Sequence, residues 1–414
     1  MAYLTGVVLF ALAIFISVCL HEAGHMATAK AFGMKVTRYF AGFGPTLFSF
    51  RRGETEYGLK AIPLGGFVKI VGMTPQDDDV APEDEPRAMW RAPLWKRTVV
   101  MAAGSVSHFI LGFVVLWLLL VAIGLPNPDL ATTATNVSVQ ACVIQAADRT
   151  TCQPGDPVSP AKKAGLQDHD KIVAVNGTKV TSYPDLVKAI RAAMPGRTTL
   201  TYERDGVLHT TPVDLVAVQR PPIDNTGAEK PGNLVTVGAL GVGPSLPKGA
   251  PETVRYGPIS GVGQAGYYTG QMFSQIGASL KRFPARVPAL WRALSGQPRD
   301  PNGPISVVGA SRLGGEAVEY GSWATFFTIL ITLNFFIGVF NLLPLLPLDG
   351  GHMAIAFFER IRSWLYRRLG RRDPGRVNYL KLMPVTYAVI LIFGAFSLLT
   401  IAADIVNPVT IFGK

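Results

Sequence analysis

The chain has 414 residues, of which 49% are hydrophobic and only 16% are charged. This composition, with a mean hydropathy of +0.29, is typical of a membrane protein and argues against a soluble enzyme. The net charge of +11 would indicate a nucleic-acid partner only if the charge lay on a polar surface. Three cysteines are too few for a scaffold held together by many disulfides.

Four segments are long and apolar enough to cross about 30 Å of hydrocarbon. They are residues 4–31, 98–124, 323–348 and 384–403. These segments predict a polytopic α-helical membrane protein with four transmembrane helices.

The charged residues between these segments predict the topology. The connection 359–381 contains eight basic residues and two acidic ones, and the connection 30–97 is also rich in Lys and Arg. Because short basic loops stay in the cytoplasm, both chain termini are expected to face outward. The positive charge is then a topology signal, and nucleic acid is not expected as a partner.

Segment 125–322 is therefore predicted to lie outside the membrane. Within it, residues 161–191 predict a strand, a hairpin turn at Asn176-Gly177 and a short helix over 182–191. Residues 220–251 are rich in Pro and Gly and are predicted to be linker. Apolar residues then recur at three- and four-residue spacing over 262–280. This pattern predicts an amphipathic helix that lies either on the membrane or against the outer domain.

The sequence HEAGH, residues 21–25, lies near the inner end of the first apolar segment. Residues four apart share one face of a helix, so His21 and His25 can bind one metal ion. Glu22 lies beside them without being a ligand, and a glutamate in that place serves as general base toward a water whose pKa zinc lowers. The alternative is a pair of buried histidines hydrogen-bonded inside a helix bundle.

A catalytic zinc ion usually has three protein ligands, so a third must come from another part of the chain. The sequence NLLPLLPLDGGH, residues 341–352, supplies Asp349 and His352 at the end of the third apolar segment. The first and third segments both run from outside to inside, so the two motifs are expected at similar depths in the inner third of the bilayer.

Pro344 and Pro347 are expected to break the helix before Asp349. Exposed backbone at this depth is tolerated only beside protein or a water-filled cavity. A hydrated metal site for a hydrolase is the interpretation that these features favour.

With these motifs the chain resembles the site-2 protease family of intramembrane zinc metalloproteases along nearly its whole length. HEAGH matches the family's HExxH, and Leu-Asp-Gly at 348–350 matches its second metal motif. The sequences GFGPTLFSF (42–50) and PLGGFVKIVGM (63–73) look like the membrane-associated re-entrant β segment of bacterial members. Residues 130–218 resemble their extracytoplasmic PDZ module. The likeness is strongest to the single-PDZ, actinobacterial type, which cleaves anti-sigma factors in regulated intramembrane proteolysis.

The resemblance implies a metal site and its chemistry. His21, His25 and Asp349 would be the ligands of one Zn²⁺ per chain, and Glu22 would be the catalytic base. Asn341 matches an asparagine that is implicated in substrate handling, although its amide could equally cap the broken helix. No ligand role for His352 follows from the resemblance, and we interpret it as a neighbour of the site.

Two departures from the family pattern concern substrate contacts and leave the metal motifs unchanged. Leu346 stands where the family often has a second proline, and Pro347 follows it. The sequence AGSVSH, residues 103–108, stands where many relatives have Gly-Pro-x-x-Asn.

The expected organisation combines the apolar segments with the resemblance. It comprises transmembrane helix 1 with HEAGH (1–32), a re-entrant β segment and cytoplasmic loop (33–97), transmembrane helix 2 (98–124), an extracytoplasmic PDZ-like α+β domain (125–222), a linker with an amphipathic helix (223–322), transmembrane helix 3 with LDGG (323–352), a basic cytoplasmic loop (353–383), and transmembrane helix 4 with the tail (384–414).

Two of these parts allow more than one interpretation. The β segment could pair its edge with the backbone of an unwound substrate, or it could be a packed cytoplasmic hairpin. The PDZ-like domain could bind a peptide terminus, or it could act as a steric gate that excludes uncut proteins with large outer domains.

The function expected from this resemblance is that of a zinc endopeptidase of the bacterial plasma membrane. It would cut within or near the transmembrane segment of single-span proteins, with anti-sigma factors already cut once outside the membrane as substrates. A zinc-binding transporter and a non-catalytic PDZ scaffold are the alternatives. Glu22 argues against both, because neither needs a base beside the histidine pair, and the apolar segments show no internal repeat of the kind that transporters have.

Cys142 and Cys152 lie in the segment that is predicted to face outward. Disulfides persist in an oxidising compartment, so these two cysteines predict a disulfide. The alternative is two free, buried thiols that pack as small apolar side chains.

Overall fold

The structure is a computed structural model, and it describes residues 1–73, 80–127, 135–145, 152–193, 195–224, 234–295, 299 and 303–411. The chain divides into two compact units. The first combines Met1–Ile123 with Gly257–Phe412, and the second is Gly124–Tyr256.

The helices within the described residues are, in chain order, α1 (Ala2–Ala31), α2 (Leu94–Leu118), α3 (Pro160–Lys163), α4 (Tyr183–Ala192), α5 (Pro258–Leu294), α6 (Val307–Glu319), α7 (Trp323–Asn341), α8 (Asp349–Arg368) and α9 (Met383–Val406). A π-helical segment, Leu119–Ile123, extends α2. The strands are β1 (Val36–Arg52), β2 (Thr55–Ile70), β3 (Leu125–Pro126), β4 (Val137–Val139), β5 (Lys171–Val175), β6 (Thr178–Lys179), β7 (Gly196–Arg204), β8 (Val207–Arg220), β9 (Val235–Ala239), β10 (Val242–Pro244) and β11 (Thr253–Val254).

Four of the described helices are long and apolar enough to cross a membrane, which confirms the four predicted apolar spans. They are Ala2–Ala31, Leu94–Ile123, Trp323–Asn341 and Met383–Val406. The third ends at Asn341 instead of the predicted residue 348. The break contains Pro344, which lacks the backbone N–H that a helix needs and whose ring opposes the helical conformation of the preceding residue. A new helix, α8, begins at Asp349 and continues to Arg368. It therefore includes the last residues of predicted transmembrane helix 3 and the first part of the predicted basic loop.

The first unit is a helical bundle in which glycines allow close contacts. A side chain at Gly6 of α1 would lie 2.9 Å from the carbonyl oxygen of Gly314 in α6. Phe10 of α1 is fully buried, and its ring packs edge-on against that of Phe326 in α7, with ring centroids 5.3 Å apart. Residues 307–319, which were predicted only as linker, therefore form a helix that packs on α1.

The amphipathic helix predicted over 262–280 is part of α5, which spans Pro258–Leu294. It belongs to the first unit and contacts α2, α7 and α9. The indole N–H of Trp117 in α2 donates to the carbonyl oxygen of Pro258 at 2.9 Å. The predicted amphipathic helix is therefore present, and within the first unit it packs on the apolar helices.

Strands β1 and β2 form an antiparallel hairpin in the first unit that folds back on itself, because residues 38–41 of β1 pair with two parts of β2, residues 56–59 and residues 66–69. Its base is buried at Val36 and Ile70, next to Met89 and Val100. Its distal part exposes a group of apolar side chains, Phe43, Leu47, Phe48, Leu59, Ile62 and Leu64. A group of exposed apolar residues of this size is typical of a surface that contacts membrane or protein. The β hairpin that the sequence predicts for this segment is present.

The second unit is built on a five-stranded antiparallel sheet with the order β6-β5-β7-β8-β9. Its core includes Ile172, Leu186 and Leu200, none of which is exposed to solvent. The predicted turn lies at Asn176-Gly177, where both residues have positive φ angles of 48° and 77°. Ser182 caps α4 by accepting a hydrogen bond from the amide of Asp185.

The segment predicted as linker after residue 222 contributes strands to this unit. β9 pairs with β8, and β10 pairs with β4. The buried side chains of Val237 and Leu240 explain the difference, because they add to the apolar core. The folded unit therefore extends beyond the predicted boundary and ends at Tyr256.

The structure joins Cys142 and Cys152 in a disulfide, with the two Cα atoms 5.9 Å apart. In protein taken from its native membrane, non-reducing mass spectrometry is expected to recover these two cysteines as one cross-linked pair. Replacing both by alanine should lower the free energy of unfolding by about 2–3 kcal/mol, because the bond limits the freedom of the unfolded chain.

Cys19→Ala is the matched control, because Cys19 is a free thiol and its loss should leave the cross-linked pair unchanged. Two free thiols at 142 and 152 in native material would contradict the disulfide. Labelling of this segment only from the cytoplasm would contradict the predicted topology.

Candidate metal centre

Both histidines of HEAGH are buried on one face of α1. Their Nε2 atoms lie 3.1 Å apart, as the spacing of four residues predicts for neighbours on a helix. The carbonyl oxygen of Val100 in α2 lies 2.7 Å from Nδ1 of His25 and accepts its hydrogen. This bond places the lone pair of His25 on Nε2, which is the atom that faces His21.

Asp349 is the first residue of α8 and meets the two histidines. Its Oδ2 lies 3.3 Å from Nε2 of His21 and 3.4 Å from Nε2 of His25. The ligand atoms of these three side chains all lie within 4.8 Å of one another. The fold thus brings together two motifs that stand at opposite ends of the sequence.

The three atoms lie 3.1–3.4 Å apart, which is close to the spacing of ligands around a tetrahedral zinc ion. Bonds of 2.0–2.2 Å from zinc to nitrogen and oxygen place two ligand atoms about 3.3–3.6 Å apart. The Oδ2 of Asp349 is buried, and no described residue donates a hydrogen bond to it. Two imidazole nitrogens and a buried carboxylate oxygen without a donor fit a zinc ion, which would satisfy all three.

Glu22 connects this cluster to the β hairpin. Its Oε2 accepts a hydrogen bond from the backbone N–H of Val68 in β2, at 3.1 Å. It is not one of the three residues whose ligand atoms converge. The carboxylate is therefore held beside the histidines by a strand, where it can accept a proton without binding the metal.

Glycines allow α2 to approach the histidine pair. A side chain at Gly104 would lie 2.5 Å from Cε1 of His21 and 2.5 Å from Nε2 of His25. A side chain at Gly24, inside HEAGH, would lie 2.7 Å from the carbonyl oxygen of Ala103. Any larger residue at either position would separate α1 from α2, so these glycines set the space around the centre.

His108 and Asn334 form a buried polar pair that the sequence did not predict. The Nδ2 of Asn334 donates to the carbonyl oxygen of Leu330 at 2.9 Å, which directs its Oδ1 toward His108. Nδ1 of His108 lies 2.9 Å from that oxygen and therefore carries the hydrogen. The ring of His108 lies beside that of His21, with centroids 5.1 Å apart. The signal that could have found the pair is the unusual histidine of AGSVSH together with an asparagine inside an apolar span.

Asn341 and His352 lie on either side of Asp349 along the chain. Asn341 is the last residue of α7 and is half-buried. The ring of His352 stacks on that of Tyr379, with centroids 6.0 Å apart, and is not part of the converging group. Between α7 and α8 the backbone turns tightly, with the amide of Leu348 donating to the carbonyl oxygen of Leu345 at 2.9 Å.

The chain is similar to known proteins along most of its length. The model of Peptidase family M50 matches residues 9–372. Zinc metalloprotease Rip1 of Mycolicibacterium smegmatis is 46% identical over 413 residues, which are 98% of each chain. Zinc metalloprotease Rip1 of Mycobacterium tuberculosis is 44% identical over 412 residues, which are 100% of each chain. A putative zinc metalloprotease of Brucella suis is 31% identical over 356 residues, which are 84% of this chain and 83% of that one.

The family match includes residues 21–25 and 348–350, and the Rip1 relatives are similar over 98–100% of the chain, which confirms the resemblance found in the sequence. The chain belongs to peptidase family M50, the site-2 protease family, and is a zinc metalloendopeptidase.

Proposed function

We propose that this chain is an intramembrane protease in which His21, His25 and Asp349 bind one zinc ion and Glu22 is the catalytic base. One observation carries the proposal. Three zinc-type ligand atoms, 3.1–3.4 Å apart, converge from α1 and α8 beside a carboxylate that is not a ligand. α1, which supplies both histidines, and α2, which packs against them, are long and apolar enough to cross a membrane.

In this mechanism each residue near the metal centre has a separate role. A zinc ion held by His21, His25 and Asp349 would supply Lewis-acid chemistry, which would polarise the scissile carbonyl and lower the pKa of the attacking water. Glu22 takes a proton from that water and gives a proton to the amide nitrogen of the departing segment. The N–H of Val68 keeps the carboxylate in place for both transfers. The carbonyl of Val100 keeps His25 in the tautomer that a ligand needs.

We propose that β2 also receives the unwound substrate. A helical substrate must expose its scissile amide, which leaves backbone groups unpaired. The amide of Val68 donates to Glu22, so this edge of β2 faces the candidate base and not β1. A substrate strand added along this edge would form backbone hydrogen bonds with β2 beside the metal centre. This favours a role in substrate binding over the alternative of a packed hairpin without substrate contact. Asn341, at the end of α7, is the remaining candidate for substrate handling.

The substrates and the topology belong to the same proposal. We propose that the metal centre lies toward the cytoplasm of a bacterial plasma membrane, with both termini outside, and the basic connections support this orientation. The substrates are single-span proteins, cut within or near their transmembrane segment. Anti-sigma factors that have lost their outer domain to a first protease are the proposed members of this class.

We assign the second unit as the PDZ-like module. A groove of ≈ 340 Å³ lies between α4 and residues 237–242, with Leu186 and Ile190 among its lining residues. β9 stands at the edge of the sheet beside this groove. An edge strand next to a helix is an arrangement to which an extended peptide can add as a further strand, which supports peptide binding over a purely steric gate.

Purified full-length protein incubated with a single-span substrate tests the proposal. Cleavage within or near the membrane segment is expected, with loss of cleavage in a chelator and recovery when zinc is restored. Cleavage that is indifferent to zinc removal would reject the mechanism. Zinc uptake into proteoliposomes without any proteolysis would favour the transporter, and peptide binding without either activity would favour the scaffold.

A further inference from the structure

Helix α8 carries a stripe of large apolar side chains that faces away from the protein. The stripe consists of Phe357, Phe358, Ile361, Trp364 and Leu365, which recur at three- and four-residue spacing. These side chains are between 44% and 62% exposed. Residues at this spacing share one face of a helix, so α8 presents a continuous apolar surface outward.

The opposite face of α8 is attached to the protein. Glu359 is buried, and its Oε2 accepts a hydrogen bond from Arg97 of α2 at 3.2 Å. Its Oε1 accepts from the backbone N–H of Val377 at 3.0 Å. Ala356 is buried on the same side. Because these contacts hold the helix, it cannot turn its apolar stripe inward.

Arginines flank this stripe. At 100° per residue, Arg360 and Arg367 lie along one side of it and Arg362 along the other. The guanidinium of Arg368 lies over the ring of Trp364 at 4.7 Å, and that of Arg362 lies over the ring of Phe358 at 5.5 Å. This is the surface of a helix that lies in a membrane interface, with apolar groups toward the acyl chains and cations at the headgroups.

The cations continue beyond the helix. Arg371 and Arg372 follow α8, and their side chains are exposed. Arg360, Arg371 and Arg372 form no ion pair with any residue that the structure describes. The acidic residue of the stretch 360–381 is Asp373, which accepts hydrogen bonds from the hydroxyl of Ser363 and the amide of Gly375. The surface is therefore strongly cationic.

The place of α8 in the bundle sets it at a membrane surface. A chain that crosses the membrane four times has the end of α1, the start of α2, the end of α7 and the start of α9 on one side. α8 lies between α7 and α9, and Glu359 contacts Arg97 near the start of α2. The stripe and its arginines are thus at the level of the headgroups on that side.

We propose that α8 is a docking surface for anionic lipid headgroups, with its apolar stripe in the acyl region and its arginines on the lipid phosphates. Charge complementarity selects an anionic lipid surface as the occupant, because eight basic residues lie within 360–381. The proposal that α8 binds lipid does not depend on the proposed reaction. Its link to the metal centre rests on the proposed function, since Asp349 begins the same helix and lipid binding would hold that helix in place.

Native mass spectrometry of the full-length protein tests the headgroup contact. The protein is extracted from vesicles of phosphatidylcholine mixed with phosphatidylglycerol, and the bound lipids are counted. Phosphatidylglycerol should be enriched over its share of the vesicle. The triple variant Arg360→Gln, Arg371→Gln, Arg372→Gln should lose this enrichment, by about fivefold for each arginine that contacts a headgroup.

A triple variant on the second unit, Lys162→Gln, Lys163→Gln, Lys179→Gln, removes the same charge from exposed positions and should keep the enrichment. Equal enrichment in all three proteins would overturn the proposal. This readout needs no proteolysis, so it distinguishes failure of the lipid surface from failure of the proposed function.

The fluorescence of Trp364 tests the other part of the proposal, that the apolar stripe lies in the acyl region of the membrane. Its fluorescence is taken as the difference between the wild-type protein and Trp364→Phe, both in vesicles with brominated lipids. Bromine near the headgroup should quench it more strongly than bromine at the chain ends. Absence of quenching by either lipid would show that the stripe faces water or a protein partner, and would overturn the assignment to lipid.

Discussion

Glu22→Gln is expected to keep its zinc and to lose cleavage by a factor of about 10²–10⁴, the usual contribution of a general acid–base group. The ligands are unchanged, and the amide oxygen of Gln can still accept the hydrogen bond that Val68 donates to Glu22. The variant lacks only the group that takes the proton. Zinc content by elemental analysis and the cleavage rate of a single-span substrate measure the two effects.

Glu56→Gln is the matched control for this substitution. Glu56 lies on the same hairpin, and its carboxylate is 3.7 Å from the exposed Arg38. It should keep both zinc and turnover. The inactive Glu22→Gln protein should also co-purify with uncut substrate, which would identify that substrate. Wild-type turnover by Glu22→Gln would remove the assignment of Glu22 as base.

Asp349→Ala is expected to lose both zinc and activity. It removes one of the three proposed ligand atoms, the carboxylate oxygen 3.3–3.4 Å from the two imidazole nitrogens. Removal of a group that merely supports a ligand already weakens metal binding by about 10–100-fold, so loss of a ligand should weaken it further. Competition with a chelator of known affinity measures the change.

His352→Ala is the control, because this residue lies three positions along α8 and outside the converging group. It should keep zinc affinity close to that of the wild type. Asp349→Asn preserves the volume at the start of α8 and serves if the alanine variant does not fold. Full zinc content in Asp349→Ala would show that His352 or another residue is the third ligand.

Local patterns were enough to predict several parts of this protein. Twenty or more apolar residues in a row predict a membrane helix, whatever surrounds them, because the bilayer sets the required length. The spacing of His21 and His25 likewise predicts a shared face, because the pitch of a helix is constant. Asn176-Gly177 predicts a turn because glycine and asparagine tolerate positive φ. Each of these depends on neighbours within a few residues.

Amino-acid composition predicted secondary structure less reliably in segments whose structure depends on burial against distant residues. Residues 235–244 are rich in glycine and were predicted as linker, yet they form β9 and β10. These strands exist because β9 pairs with the preceding strand β8 and β10 pairs with β4, which lies near the start of the second unit. Similarly, α6 forms where Gly6 of α1 leaves space for it.

The sequence by itself therefore determined the apolar spans, the shared face of His21 and His25 on α1 and the break before Asp349, because each depends on the chain's local chemistry. Only the tertiary structure decided which groups meet: the carboxylate of Asp349 with the two histidines, Val68 with Glu22, and His108 with Asn334. It also decided that the apolar stripe of α8 faces outward, since Glu359 binds the other face to Arg97. Such contacts join distant segments, and their energies come from packing and hydrogen bonding that only the folded chain creates.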